Sequence, residues 1–493
     1  MTSTGINFEK RKIHDPIHKT IGFSELEIEI INSRAFQRLR NIKQLGLINY
    51  VFPGADYSRF SHSIGVCHLS GKIFDAIQGK KSDAYSDREK QIVRLAGLLH
   101  DIGHYPFSHA VEDAIKAYVS EESGEMSGLI KKDMSPNGDL YTPPEKYYNH
   151  ESIGREILIR DREIQKILNN FEIEPKIEPM EVYQLFTRAS DSPLPDANMI
   201  SSDLDADRLD YLLRSAYHIG LPYGSTDLDY ILRQIKIDIN KNICISPKAL
   251  RTIDHFLLCR YFDYSQVIFH KTVAGFEEVL KSVVKYLISK NTICFSPESI
   301  IDAIDSGKWY EFDDTYLLNL IHKYAKLDET PSEIKTLLKS ITERNPPKEI
   351  VKMEYIEETG DKELNRFRSK IFDFNNVKKS ISQEFKIPEE HIFVWDNGGL
   401  EITKIGKTVE ISKSQHLSKE QIDKLNQSVR IFDRITQTSV PIMERDDSLM
   451  YILSGKALYS IRIFILFPNK QSDEKIDEIK NYIKNELPHR DWK

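Results

Sequence analysis

Leu95-Ala96-Gly97-Leu98-Leu99-His100-Asp101-Ile102-Gly103-His104 decides how this chain of 493 residues is read. The run over 89–100 has the apolar content of a buried helix, and that helix closes on two adjacent metal-competent side chains, His100 and Asp101. Pro106-Phe107-Ser108-His109 follows, so a Gly/Pro turn separates it from a second helix that brings more imidazole into the same space. Of the fifteen histidines, six (His62, His68, His100, His104, His109 and His150) fall within this part of the chain. Capping or core packing would account for any one of them. It does not account for the set, because Arg59-Phe60-Ser61-His62 adds a histidine upstream and Asp203 to Tyr211 adds a dense carboxylate group downstream. Imidazole nitrogen and carboxylate oxygen drawn from separate helices suit a divalent cation.

Composition bounds the rest. With 40% hydrophobic and 29% charged residues the chain reads as a soluble globule, long enough for two domains or one large domain with an appendage. Cys67, Cys244, Cys259 and Cys294 form no CxxC pair and read as small buried hydrophobes in a reducing compartment. Met1 to Lys12 is polar, and no stretch approaches the roughly 20 apolar residues of a membrane span, so the expectation is a cytoplasmic protein with no membrane partner. A net charge of −7 and a pI near 6.1 argue against nucleic acid as the main partner. Between Ile30 and Phe60, however, Arg34, Arg38, Arg40, Lys43 and Arg59 face a single acid, Asp56. Such an island in an acidic protein suits a confined polyanion, and a nucleoside triphosphate fits it better than a duplex.

The pattern predicts a mainly α fold: a helical core over 1–345 and a smaller C-terminal α+β region over 346–493, regulatory or oligomerising, divided at Asn345-Pro346-Pro347. Residues 11–24 read as extended or hairpin. Ile31, Ala35, Leu39 and Ile42 share a helix face, and Arg59 to Ile77 is a helix that carries Arg59 and His62 about one turn apart. Residues 120–148, with Pro136-Asn137-Gly138 and Pro143-Pro144, read as a mobile insertion bordering the site. Pro193 to Asp196 is a further loop, Asp203 to Arg214 a helix, and 248–290 strongly helical. Ile392 to Trp395, Leu400 to Thr403 and Ser460 to Leu466 read as strands. Gly406-Lys407-Thr408 ends like a phosphate loop, but Glu401 stands where its first glycine belongs, so it reads as a hairpin turn.

His62, His100-Asp101 and Asp207 match, in order and context, the H…HD…D signature of the HD-domain metal-dependent phosphohydrolases. The chain also carries Asp15-Pro16-Ile17-His18, Phe36-Gln37-Arg38-Leu39-Arg40, Lys43-Gln44-Leu45-Gly46, Tyr50-Val51-Phe52-Pro53-Gly54-Ala55 and Arg59-Phe60. Over residues 11–290 it therefore resembles the sterile-alpha-motif and HD-domain dNTP triphosphohydrolases, in their stand-alone bacterial form that starts at the catalytic part. The resemblance implies hydrolysis of a dNTP to deoxynucleoside and inorganic triphosphate. It implies a divalent ion (Mg, Mn, Fe or Zn) on His62, His100, Asp101 and Asp207, with Mg on the substrate phosphates. His109 becomes the general acid, His104 and His150 line the phosphates, Arg59, Arg208 and Arg260 bind the triphosphate, and Gln44 and Tyr211 face the sugar. Tyr264 shares the helix of Arg260 and joins the substrate contacts. Asp15, Gln37 and Arg40 match the region where the family binds activating nucleotides between subunits, which implies a homo-oligomer, a tetramer. Asn32, Ile268 and Ser215 depart from the family pattern at positions that read activator or substrate. Two other readings share the metal motif: an HD phosphodiesterase or nuclease, and a nucleotide-sensing antiphage effector.

Overall fold

The computed structural model describes residues 5–78, 86–122, 147–187, 199–200, 202–358, 374–401 and 427–486. Strands β1 (Arg11–Asp15) and β2 (Lys19–Phe23) form the expected hairpin, with Asp15 opposite Lys19. Helix α1 (Glu25–Asn32) starts at a capping box in which Ser24 and Glu27 satisfy each other's backbone amides. The helical run expected through Ile42 breaks at Ser33. Its hydroxyl donates to the Ile30 carbonyl at 2.7 Å and accepts from the Phe36 amide at 3.3 Å, so one turn ends and another begins there. Ile31, Ala35, Leu39 and Ile42 are nevertheless all buried, because the short turns that follow keep the same face inward.

The helical core is built from α2 (Arg59–Gln78), α3 (Asp87–Leu99), α4 (His109–Glu122), α5 (His150–Arg160), α6 (Ala206–Ile219), α7 (Leu250–Asp263) and α8 (Lys271–Ser289). In α3 every residue from Gln91 to Leu99 is buried, which is why its sequence reads as apolar nearly all round. The stretch over 248–290 is not one helix. A π-turn at Tyr264–Ile268 separates α7 from α8, whose N-terminus is capped by His270. π-turns cost hydrogen-bond geometry and concentrate at functional sites. Helices α9 (Asp314–Lys326) and α10 (Ser332–Thr342) complete this part.

After Pro347 the chain enters an antiparallel sheet. Its central strand β9 (Lys456–Ile465) pairs with β5 (Lys348–Glu358) on one side and β6 (Ile392–Asp396) on the other. With α11 (Phe374–Phe385) and α12 (Asp473–Glu486) it closes a small core around Val351, Met353, Ile381, Ile463 and Ile479. The expected strand at Leu400 pairs with β9 over Leu400–Glu401. A second sheet joins distant segments: β3 (Ile235–Ile237) and β4 (Ile243–Ile245) are extended by β7 (Arg430–Phe432) and β8 (Ser439–Pro441), with β7 parallel to β4. The segment over 427–453 thus belongs to the main core, where Ile431, Met443 and Met450 are buried. It is pinned by Ser439 donating to Asp238 and Ser448 donating to Asp254, each at 2.6 Å. Most of the 120–148 insertion, the Pro193–Asp196 loop and Gly406-Lys407-Thr408 lie outside the described residues. No described helix is long and apolar enough to cross a membrane.

Candidate active site

Three separated elements supply the metal-competent side chains: His62 from the first turn of α2, His100 at the C-cap of α3, and Asp207 in the first turn of α6. His62 Nε2 lies 3.0 Å from Asp207 Oδ1, too poorly aligned for a hydrogen bond, and His100 Nε2 lies 4.0 Å from the same oxygen. Asp101 completes the set, with Oδ2 3.8 Å from His62 Nε2 and Oδ1 3.4 Å from His100 Nε2. Both Nε2 atoms are buried and lack a hydrogen-bond partner, an arrangement that costs free energy unless a ligand completes it. Burial disfavours the charged form of His62, yet Asp207 and Asp210 outweigh it and raise the imidazole to about 9. A field that holds a proton so firmly also favours a cation in its place, so these residues fit a divalent metal.

Behind the ligands runs a buried relay that the motif reading did not single out. His62 Nδ1 contacts Asp210 Oδ2 at 2.8 Å, fixing the ring so that Nε2 faces the ligand set. Asp210 also pairs with His18 at 2.7 Å and Arg214 at 2.8 Å, and Arg214 in turn holds Asp15 at 2.8 Å. Asp15 is thus turned inward, where it also accepts from the amides of Ile17 and His18. It does not join Gln37 and Arg40, which pair with each other at 2.8 Å beside Phe60. Gly65 leaves room for this relay, since a Cβ there would overlap the Asp210 carboxylate. Gly65→Ala is expected to cost about 1–3 kcal/mol and to lower metal occupancy. Thermal unfolding with metal analysis checks it; an unchanged variant would remove the relay from the account.

A second group lies alongside. His150, capped into place by Asn149, pairs through Nδ1 with Glu112 Oε2 at 2.8 Å, and His109 Nδ1 lies 3.9 Å from the same oxygen. His104 stacks on His150 with ring centroids 4.0 Å apart and reaches Asp101 Oδ1 through Nε2 at 3.2 Å, so it joins the two groups. Gly103 permits this stack: a Cβ there would run into the His150 carbonyl and the Gly154 amide. Burial opposes ionisation of both members of the Glu112–His150 pair. Their mutual hydrogen bond and charge prevail, holding Glu112 below and His150 above their usual ranges. His104, fully buried beside Arg59 and His150, is held neutral.

His109 follows two consecutive left-handed residues, Phe107 (φ 51°) and Ser108 (φ 59°). Such strain in non-glycine residues persists only when neighbours over-determine it. Asp314 of α9 accepts from the Phe107 amide at 2.7 Å and from the Lys43 amide at 3.0 Å. Ser108 Oγ accepts from Arg59 Nε at 2.9 Å and donates to the Lys43 carbonyl at 3.0 Å. Asp314→Ala is expected to free this turn and lower kcat about tenfold by misplacing His109, with metal content unchanged. Steady-state kinetics on a metal-replete sample checks it, and a wild-type kcat would overturn the positioning role.

The HD domain family matches residues 59–215, the span that holds every member of both groups. An uncharacterised protein of Methanocaldococcus jannaschii is 33% identical over 388 residues, covering 78% of this chain and 67% of that one. The chain belongs to the HD-domain family. Bacillus subtilis YwfO is 30% identical over 276 residues, covering 56% of this chain and 55% of YwfO. Bovine SAMHD1, a deoxynucleoside triphosphate triphosphohydrolase, is 31% identical over 264 residues, covering 48% of this chain and 41% of SAMHD1. This chain thus spans about half the length of the latter two. Two solved structures share the fold: a hypothetical protein from Aquifex aeolicus (TM-score 0.65, 23% identity, 97% and 99% coverage) and a phosphohydrolase from Bacteroides thetaiotaomicron (TM-score 0.63, 22% identity, 93% and 100% coverage).

Both groups of the HD domain open into one cavity of about 290 Å³. Arg59 and Arg208 line it, each partly neutralised from behind: Arg59 Nη1 lies 2.5 Å from Asp101 Oδ2, and Arg208 Nη1 lies 2.7 Å from Asp205 Oδ2. Gln44, Tyr211, Tyr264 and Ile268 line it too. Arg260 does not; its Nη1 lies 3.7 Å from Asp203 and its guanidinium rests over the Tyr264 ring. Ser215 is buried, its hydroxyl 2.8 Å from that of Tyr57. Glu112 and Asp314 escaped the sequence reading. Glu112 had a local signal, three residues after His109 on the same helix; Asp314 had none.

Proposed function

We propose that this HD-domain protein is a metal-dependent dNTP triphosphohydrolase that releases deoxynucleoside and intact triphosphate. One observation carries the reading. His100, Asp101 and Asp207, with His62 buried behind them, face a cavity shared with an oriented histidine group and two arginines, and that combination suits a phosphoryl ester better than a neutral substrate. His62, His100, Asp101 and Asp207 would hold the divalent ion, which polarises a phosphoryl oxygen and activates water when bound.

The chain's own residues supply the remaining steps. Arg59 and Arg208 hold the triphosphate through directional contacts suited to phosphate. Arg260 joins them on exchanging Asp203 for a phosphate oxygen. His104, held neutral between Asp101 and the His150 ring, lines the phosphates. His109 donates the proton that the departing 5′-oxygen needs, with Glu112 and His150 fixing its position. Gln44 and Tyr211 face the sugar, with Tyr264 beside them. Magnesium accompanies the substrate phosphates. The relation to SAMHD1 supports the dNTP reading, and the test is turnover of each dNTP with Mg or Mn beside a cyclic nucleotide and single-stranded DNA. Turnover of the latter two with none of dNTPs would replace this reading with a phosphodiesterase or nuclease.

Gln37 and Arg40 are proposed to contact an activating nucleotide between subunits of a cytoplasmic homo-oligomer, a tetramer, with the region after residue 345 contributing to assembly or regulation. Asp15 would serve that site only indirectly, through Arg214. Light scattering is expected to show a nucleotide-dependent rise in mass. A fully active monomer at saturating dNTP mixtures would overturn the assembly.

A further inference from the structure

Asp263, the last residue of α7, is 3% exposed, lines the cavity, and has no hydrogen-bond or ion-pair partner among the described residues. Other buried carboxylates around the site each face a cation: Asp101 faces Arg59, Asp205 faces Arg208, Asp210 faces His18 and Arg214, and Asp203, whose oxygens lack hydrogen bonds, faces Arg260 at 3.7 Å. A buried carboxyl left without a donor is a cost to the fold, and burial alone raises this one to about 7. Gln44 presents a second such group on the same cavity, since its Oε1 is buried with no partner. The two walls adjoin, because Leu45 packs in one cluster with Val267 and Ile268 of the π-turn that follows Asp263. Two acceptors facing one cavity with nothing to accept from require a ligand that brings donors. A triphosphate brings only acceptors and negative charge, so the donor belongs to the nucleoside.

Helix α6 sets which part of the nucleoside. Asp207 stands at the metal-competent end, Tyr211 one turn on, and Ser215 two turns on, roughly 12 Å along the axis. Asp263 faces the same cavity from the end of α7, beside Tyr264 and Ile268 of the π-turn. In a nucleotide with its phosphates at Asp207, the sugar follows next. We infer that Asp263 is a specificity-determining residue that accepts a hydrogen bond from the sugar 3′-hydroxyl. This rests on the dNTP reading above, and it assigns Asp263 a role that neither the motif nor the metal group requires.

The test compares kcat/KM for dATP and dTTP with their 2′,3′-dideoxy counterparts in the wild type, Asp263→Ala and Asp263→Asn. The assay is run at a pH above about 8, where the Asp263 carboxyl is ionised. A hydrogen bond to a charged acceptor corresponds to roughly 10–100-fold, so the wild type is expected to prefer the 3′-hydroxyl substrates by about that factor. In Asp263→Ala the ratio falls toward one through loss on the hydroxyl-bearing side, equally for dATP and dTTP. Both variants keep the wild-type melting temperature or exceed it, because the fold gains nothing from this carboxyl. An unchanged ratio, a lower melting temperature, or a loss confined to dATP with its exocyclic amine would overturn the inference. Should the wild type turn over no dNTP, the functional reading fails instead. Calorimetric binding of thymidine against 3′-deoxythymidine, in wild type and Asp263→Ala, then tests Asp263 on its own.

Discussion

Asp207→Ala is expected to lose bound divalent metal and roughly a thousandfold or more of turnover, while folding normally. The size follows from position. Asp207 is the carboxylate that His62 Nε2 and His100 Nε2 both approach, and its side chain is 35% exposed toward the cavity, so no packing depends on it. Helix α6 does not need it either, because Asp205 caps that helix by accepting from the Arg208 amide at 2.7 Å. Removing Asp207 leaves two imidazoles with much less negative charge to draw a cation between them. The double change at His100 and Asp101 should act alike. Elemental analysis beside an activity assay reads both variants, and either one retaining metal and full activity would sink the metal assignment.

His109→Ala is expected to lower kcat by about 10²–10⁴ while metal content and dNTP affinity stay near wild type. His109 is not among the metal-competent group at His62, and its side chain is 65% open to solvent at the cavity, so under the proposed roles its loss would remove proton transfer without disturbing the residues proposed to hold the metal. Desolvation in the recess, then the positive charges of Arg59 and His150, lower its pKa in the free protein. Given its accessibility, the direction rests on the two cations. A bound triphosphate opposes both, so His109 should hold its proton to higher pH with substrate than without. The basic limb of kcat should therefore lie above that of kcat/KM in the wild type and vanish in His109→Ala. A pH profile unaltered by the substitution would assign the proton elsewhere.

What the sequence revealed, and what it hid, divides along the range of the interactions. The His100-Asp101 pair was legible because an apolar helical run that ends in two polar ligands contradicts its own pattern. The break at Ser33 was not, since the apolar face it interrupts is restored by the next turns, leaving the periodicity intact. Glu112 looked like an ordinary solvated helix carboxylate, and only the fold brings His150 to it. Asp314 lies more than two hundred residues from Phe107, and no local period announces such a contact. Asp15 was visible as part of a motif, but whether it faced a ligand or an internal arginine depended on Arg214, two hundred residues on. The Pro-rich boundary at Asn345 marked where a helix gives way to a strand. Nothing local signalled that Arg430–Phe432 would return to pair with β4.

The central claim concerns which bond is cut, and phosphorus NMR of a single dNTP turned over by the metal-loaded protein tests it most directly. If, as proposed, Arg59 and Arg208 hold the phosphates as a unit while His109 protonates the 5′-oxygen, the expected products are deoxynucleoside and inorganic triphosphate, with no intermediate diphosphate signal. Deoxynucleoside monophosphate with pyrophosphate, or diphosphate with phosphate, would contradict the account.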